Sequence, residues 1–121
     1  MGDVNVHCYS VGVKEETSCE ITLKNELSTN IICFNSSKFL FNILLKDSVD
    51  VEDLNNLLNK KEKKIILDCT LEKDNKKYKG QKKVVWRNDN IAVSQGGIRL
   101  EFNPVVQNKI INIINLVKGI K

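Results

Sequence analysis

A chain of 121 residues is most simply one domain, taken here as 1–121, with room for a single modest core. Hydrophobic residues are 41% and charged residues 28%, which excludes the disordered and fibrous classes, and no apolar run approaches the roughly 18 residues of a membrane helix. The net charge of +4 is local, concentrated in KKEKK at 60–64 and KDNKKYKGQKK at 73–83; such runs are solvated faces or surfaces for an anionic partner.

The N-terminus, MGDVNVHCYS, has neither a basic n-region nor an apolar h-region, so no secretory signal is read and a cytoplasmic location is expected. VNVHCYSVGV, SCEITL and TNIICF alternate and are rich in β-formers, which predicts a series of antiparallel strands. NSSKFLFNILL is a continuous apolar run that fits a buried strand or a short helix. In DSVDVEDLNNLLNKK the leucines at 54, 57 and 58 have helical spacing, with Ser48 or Asp50 as the cap, and predict a short helix near 51–60. KKIILDCTLE and YKGQKKVVWRN read as two strands joined by a turn at 73–77, and IAV and GIRLEF as a further pair across Ser94-Gln95-Gly96-Gly97.

The last segment predicts a helix over 104–118, with Asn103 as cap and Pro104 at its first position. Its apolar face includes Ile110, Ile113, Ile114 and Val117 and must pack on the sheet or on a partner. Those four are therefore candidate partner-binding residues. The fold class is mainly β: a small antiparallel barrel with a short helical segment and a C-terminal helix.

Catalytic and metal-ligating residues are both expected to be absent. His7 is the only histidine, in an expected edge strand, and leaves no nucleophile with a base. Cys8, Cys19, Cys33 and Cys69 are scattered without metal-knuckle spacing, and Cys33 and Cys69 fall in apolar runs where a thiol acts as a small hydrophobe. Ser94-Gln95-Gly96-Gly97 is followed by the alternating IRLEF rather than by a helix, so it reads as a hairpin turn and not as a phosphate loop. The lysines of 73–83, with Tyr78 and Trp86, raise nucleic acid as an alternative partner. With only Arg87 and Arg99 as arginines, the preferred reading is a solvated lysine edge that guards a strand against pairing.

KKYKGQKKVVWRNDNIAVSQGGIRLEFNPVVQNKIINIINLV, preceded by the hairpin KKIILDCTLEKDNKK, resembles the end of a PilZ domain, and the similarity extends over roughly residues 18 to 118. That resemblance implies an antiparallel barrel of about six strands from a bacterial signalling family, many of whose members bind cyclic di-GMP. The family's RxxxR motif has no counterpart here, because no arginine precedes Arg87. Its D/N-x-S-x-x-G motif corresponds to Asn35-Ser36-Ser37-Lys38-Phe39-Leu40, with leucine in place of the glycine. The resemblance thus implies a degenerate member: a non-catalytic adaptor that binds another protein, by analogy in motility machinery, through an exposed edge or the C-terminal helix. The alternative is a cyclic dinucleotide sensor with an atypical site at Asn35, Ser37, Lys14 and Lys24. Lysines there supply point charges where guanidinium groups would give bidentate contacts. No other cofactor is expected.

Overall fold

The computed structural model describes residues 3–10 and 13–119, with side chains described from residue 16 to residue 119. Among the described residues, eight antiparallel strands pair in sequence order, and the last closes on the first into a barrel. They are β1 (Asp3–Ser10), β2 (Val13–Glu26), β3 (Thr29–Asn35), β4 (Leu40–Leu45), β5 (Lys64–Lys73), β6 (Lys76–Arg87), β7 (Asn90–Gln95) and β8 (Ile98–Phe102). Helix α1 (Ser48–Leu58) joins β4 to β5, and α2 (Pro104–Val117) follows β8. The mainly β barrel with two helices is as expected; the strands outnumber those that the PilZ resemblance implies. No helix among the described residues is long and apolar enough to cross a membrane.

Two long strands hold the barrel together by changing partners along their length. In β2, residues 13–20 pair with β1 and residues 20–26 with β3. In β6, residues 76–85 pair with β5, whereas only Val84–Arg87 pair with β7. The interior is filled by alternate side chains: Phe41, Ile43 and Leu45 from β4, Ile65, Leu67, Cys69 and Leu71 from β5, and Ile98, Leu100 and Phe102 from β8. Phe34 of β3 stacks on Phe102 of β8 at 4.9 Å between ring centroids and meets Phe41 edge-on at 6.3 Å. Rings from distant strands touching across the axis leave no lumen at that level.

Both helices close one end of the barrel, and chain direction dictates which. The strands alternate, so β4 and β8 finish at the same end, where α1 and α2 begin and pack on each other. The cap of α1 is Asp47 rather than Ser48 or Asp50. Asp47 Oδ1 accepts from Asp50 N at 3.0 Å, and Asp50 Oδ2 accepts from Lys46 N at 2.9 Å, so the two carboxylates satisfy free amides reciprocally. The helix thus starts three residues earlier than the leucine spacing indicates. It ends at Leu58, because Lys60 turns left-handed at φ +62°. In α2 the predicted cap holds: Asn103 Oδ1 accepts from Val106 N at 3.1 Å, with Pro104 in the first turn. NSSKFLFNILL resolves into a turn and the strand β4.

Candidate functional site

The structure decides between the two uses open to the apolar face of α2. Ile110, Ile113 and Ile114 are buried in the common core, and Val117 is half-buried against it. Gln107 Nε2 fixes the helix by donating to Phe102 O at 2.8 Å and to Asp89 O at 2.9 Å. These residues were candidates for partner binding; they are used within the fold, because a barrel end without them would expose its own core to water.

Of the expected ligand site, the described residues Asn35, Ser37 and Lys24 are not brought together. Asn35 and Ser37 are exposed at the β3–β4 turn, opposite the helical end. Lys24 pairs in register with Ile31, four positions along β3 from Asn35, and its amine lies 3.6 Å from Glu26. At about 3.3 Å per residue that is some 13 Å away. Lys14 falls in β2 with its side chain outside the described residues. Asn35 and Ser37 instead line a depression of about 490 Å³ with Lys73, Lys76 and Lys77 of the β5–β6 turn. Nearby Ser36 is occupied locally: its Oγ accepts from Lys38 N and Phe39 N, both at 3.1 Å.

Ser94-Gln95-Gly96-Gly97 is a hairpin turn. Gln95 pairs with Ile98 across two glycines at φ +57° and +82°, the mirror-image turn that suits strand twist. A Cβ on Gly96 would lie 2.7 Å from the Tyr78 ring and 2.8 Å from Leu71, so the turn packs tightly beneath the β5–β6 ribbon. Gln95 itself is buried and donates from Nε2 to Cys69 O at 3.1 Å.

Trp86 and Tyr78, the aromatics that a nucleic-acid face would need, have structural partners. Trp86 Nε1 donates to Leu57 O at 2.8 Å, satisfying a carbonyl at the end of α1, and Lys60 Nζ stands 5.1 Å from its ring centroid. Tyr78 is half-buried over Gly96. Cys19, Cys33 and Cys69 are buried; burial pushes the Cys69 thiol up to about 12 and raises that of Cys33. The described residues contain no cluster of metal-ligating side chains, and the His7 side chain lies outside them.

Exposed basic side chains also line β6. Lys77, Lys79 and Lys83 point outward, and Lys82 is half-buried on the other face, across from Leu67. Among the described residues none of these lysines, nor Lys76, is held in an ion pair. Asp68, across the ribbon from Gln81, is already paired with Lys46 at 2.8 Å, whose pKa this contact raises. Glu72 faces Lys77. Where β6 parts from β7, a cleft of about 410 Å³ opens. Lys82, Lys83, Arg87 and Arg99 line it over a floor that includes Val85 and Ala92, and no described carboxylate is in the lining. Arg99 Nε lies 3.2 Å from Glu101 Oε2.

No protein-family model, curated protein or solved structure matches the chain.

The lysine edge was legible in KKYKGQKK, but the cleft was not. Its one signal is the mismatch between that long run and the short IAV beside it, which leaves the first part of β6 without a described neighbour on the side away from β5. Predicting it requires the register, and the lysine run carries no register of its own, since neither face is apolar throughout.

Proposed function

We propose that this chain is a non-catalytic interaction domain that binds another protein through the basic face centred on β6. The observation that carries the reading is the lining of the β6–β7 cleft: four cationic side chains and no described carboxylate. Arg99 is paired with Glu101, but among the described residues Lys82, Lys83 and Arg87 are in no ion pair. Like charges only partly neutralised cost free energy in the isolated domain, and an acidic partner relieves that cost. The apolar face of α2 is spent within the fold, so the edge is the surface an adaptor has left. A degenerate PilZ-like domain remains the family reading; it rests on the order of β6, the β7–β8 hairpin and the closing helix.

Calorimetric titration with an acidic peptide, cyclic di-GMP and a short oligonucleotide, each at low and high salt, tests the proposal. Heat from the peptide that shrinks with salt and is lost in Lys79→Glu/Lys83→Glu is the expected result. A thermal shift with cyclic di-GMP alone would replace it with the sensor reading. That second reading has one observation in its favour: Asn35 and Ser37 share a depression with Lys73, Lys76 and Lys77. Lys73→Glu/Lys77→Glu would then abolish the shift.

A further inference from the structure

Residues 76–83 of β6 pair with β5 on one side, and β7 joins the strand only from Val84 onward. In an antiparallel ladder, alternate residues turn their N–H and C=O groups away from the neighbour they pair with. Among the described residues, the groups directed away from β5 over these eight positions therefore meet no strand. They face the side on which the β6–β7 cleft opens, with Gln81, Lys82 and Lys83 among its lining. Such an edge is a template for a further strand. The β7–β8 hairpin does not fill it, because its glycine turn is tucked beneath the ribbon against Tyr78 and Leu71.

The charge on the edge selects what can add to it. A second copy of this chain would set lysine against lysine, and like charges directly opposite destabilise a pairing. A strand carrying carboxylates on one face would set them opposite Lys77, Lys79 and Lys83, all on the outer face of β6. Directly opposed residues lie about 5 Å apart at Cβ, within reach of a Lys–Glu pair. Stacking of nucleic-acid bases is disfavoured, because Trp86 and Tyr78 are both engaged elsewhere. We propose that the free edge of residues 76–83 takes an extended acidic segment of another protein as an added β-strand. The inference rests on the reading that the basic face binds a protein, and adds to it the partner's chemistry and the mode of docking. The lysines keep the edge unpaired until a strand of opposite charge arrives.

The probe is a capped octapeptide alternating glutamate and valine, beside the same peptide N-methylated at every residue. Methylation leaves the carboxylates in place and removes every N–H that a ladder needs. Affinity is measured by calorimetry, and amide hydrogen exchange is followed at residues 76–83. The unmethylated peptide is expected to bind, to slow exchange within 76–83, and to lose affinity in Lys79→Glu/Lys83→Glu. Methylation is expected to weaken binding by on the order of tenfold or more, as loss of two or more backbone hydrogen bonds implies. Equal affinity for both peptides, without slowed exchange, overturns strand addition and leaves the protein-binding reading standing. Failure of both peptides to bind overturns the protein-binding reading, and strand addition with it.

Discussion

The two parts of β6 contrast in what they do with their surroundings. Over Val84–Arg87 the strand is flanked by β7, Trp86 N donates to Lys63 O, and the Trp86 indole holds the end of α1. Over residues 76–83 the same strand has one neighbour among the described residues and carries five lysines. VVW supplies apolar surface that gains from being enclosed, whereas KKYKGQKK has lysines on both faces. Enclosing an unpaired ammonium group costs several kcal/mol, so the barrel closes around the first and stops at the second. Closure and openness in this barrel are thus two results of one rule about which side chains can leave water.

The contrast can be broken most sharply from the enclosed side. Ile110→Asp puts a carboxylate into the core where α2 meets the barrel, and should cost about 4 kcal/mol or more, enough to unfold a marginal domain. Chemical denaturation checks it; a change under about 1 kcal/mol would mean that the helix does not seal the end. Gly96→Ala comes next, at roughly 1–3 kcal/mol, because the new methyl group meets Tyr78 and Leu71 at a positive φ. Gly97→Ala, with nothing within 4 Å, should lose only the backbone part of that. Comparing their melting temperatures separates packing under the ribbon from turn geometry.

The buried interior also predicts an alkaline effect. The Cys69 thiol has its pKa raised by burial from 9.0 to about 12, so above pH 9.0 the unfolded chain ionises this group and the folded chain does not. The folded state then holds the extra proton, and stability falls between pH 9.0 and about 12, by about 1.4 kcal/mol per pH unit at most. Denaturation midpoints measured across that window should flatten in Cys69→Ala relative to the parent chain. The smallest effect on stability belongs to the open side. Lys79→Gln with Lys83→Gln should change it by no more than about 0.5 kcal/mol, while lowering affinity for an acidic peptide and its dependence on salt. A large loss of stability there would show that the edge is part of the scaffold.

Much of the fold is legible in local chemistry. Asn103-Pro104 marks the start of α2, two glycines mark the β7–β8 turn, and the alternation in IRLEF marks β8, because each signal acts within a few residues. The cap of α1 was displaced to Asp47 because Asp47, Ser48 and Asp50 can all cap, and only the backbone conformation selects one. The candidate site was less legible. Asn35 and Ser37 are close neighbours in sequence and share a depression, yet the lysines that line it with them are Lys38 and those of the β5–β6 turn, and Lys24 is not among them. Sequence proximity to a motif does not say which strand will be its neighbour in space.

By itself the sequence determined the element types apart from NSSKFLFNILL, the caps and turns of the last hairpin and helix, and the presence of a lysine-rich strand. These depend on side-chain pattern and short-range hydrogen bonds. Only the tertiary structure decided that the isoleucines of α2 close the barrel instead of meeting a partner, and that β6 parts from β7 at Val84. Both outcomes depend on which surfaces meet after long-range pairing. Burial and register are properties of the assembled barrel, and no local stretch of chain contains them.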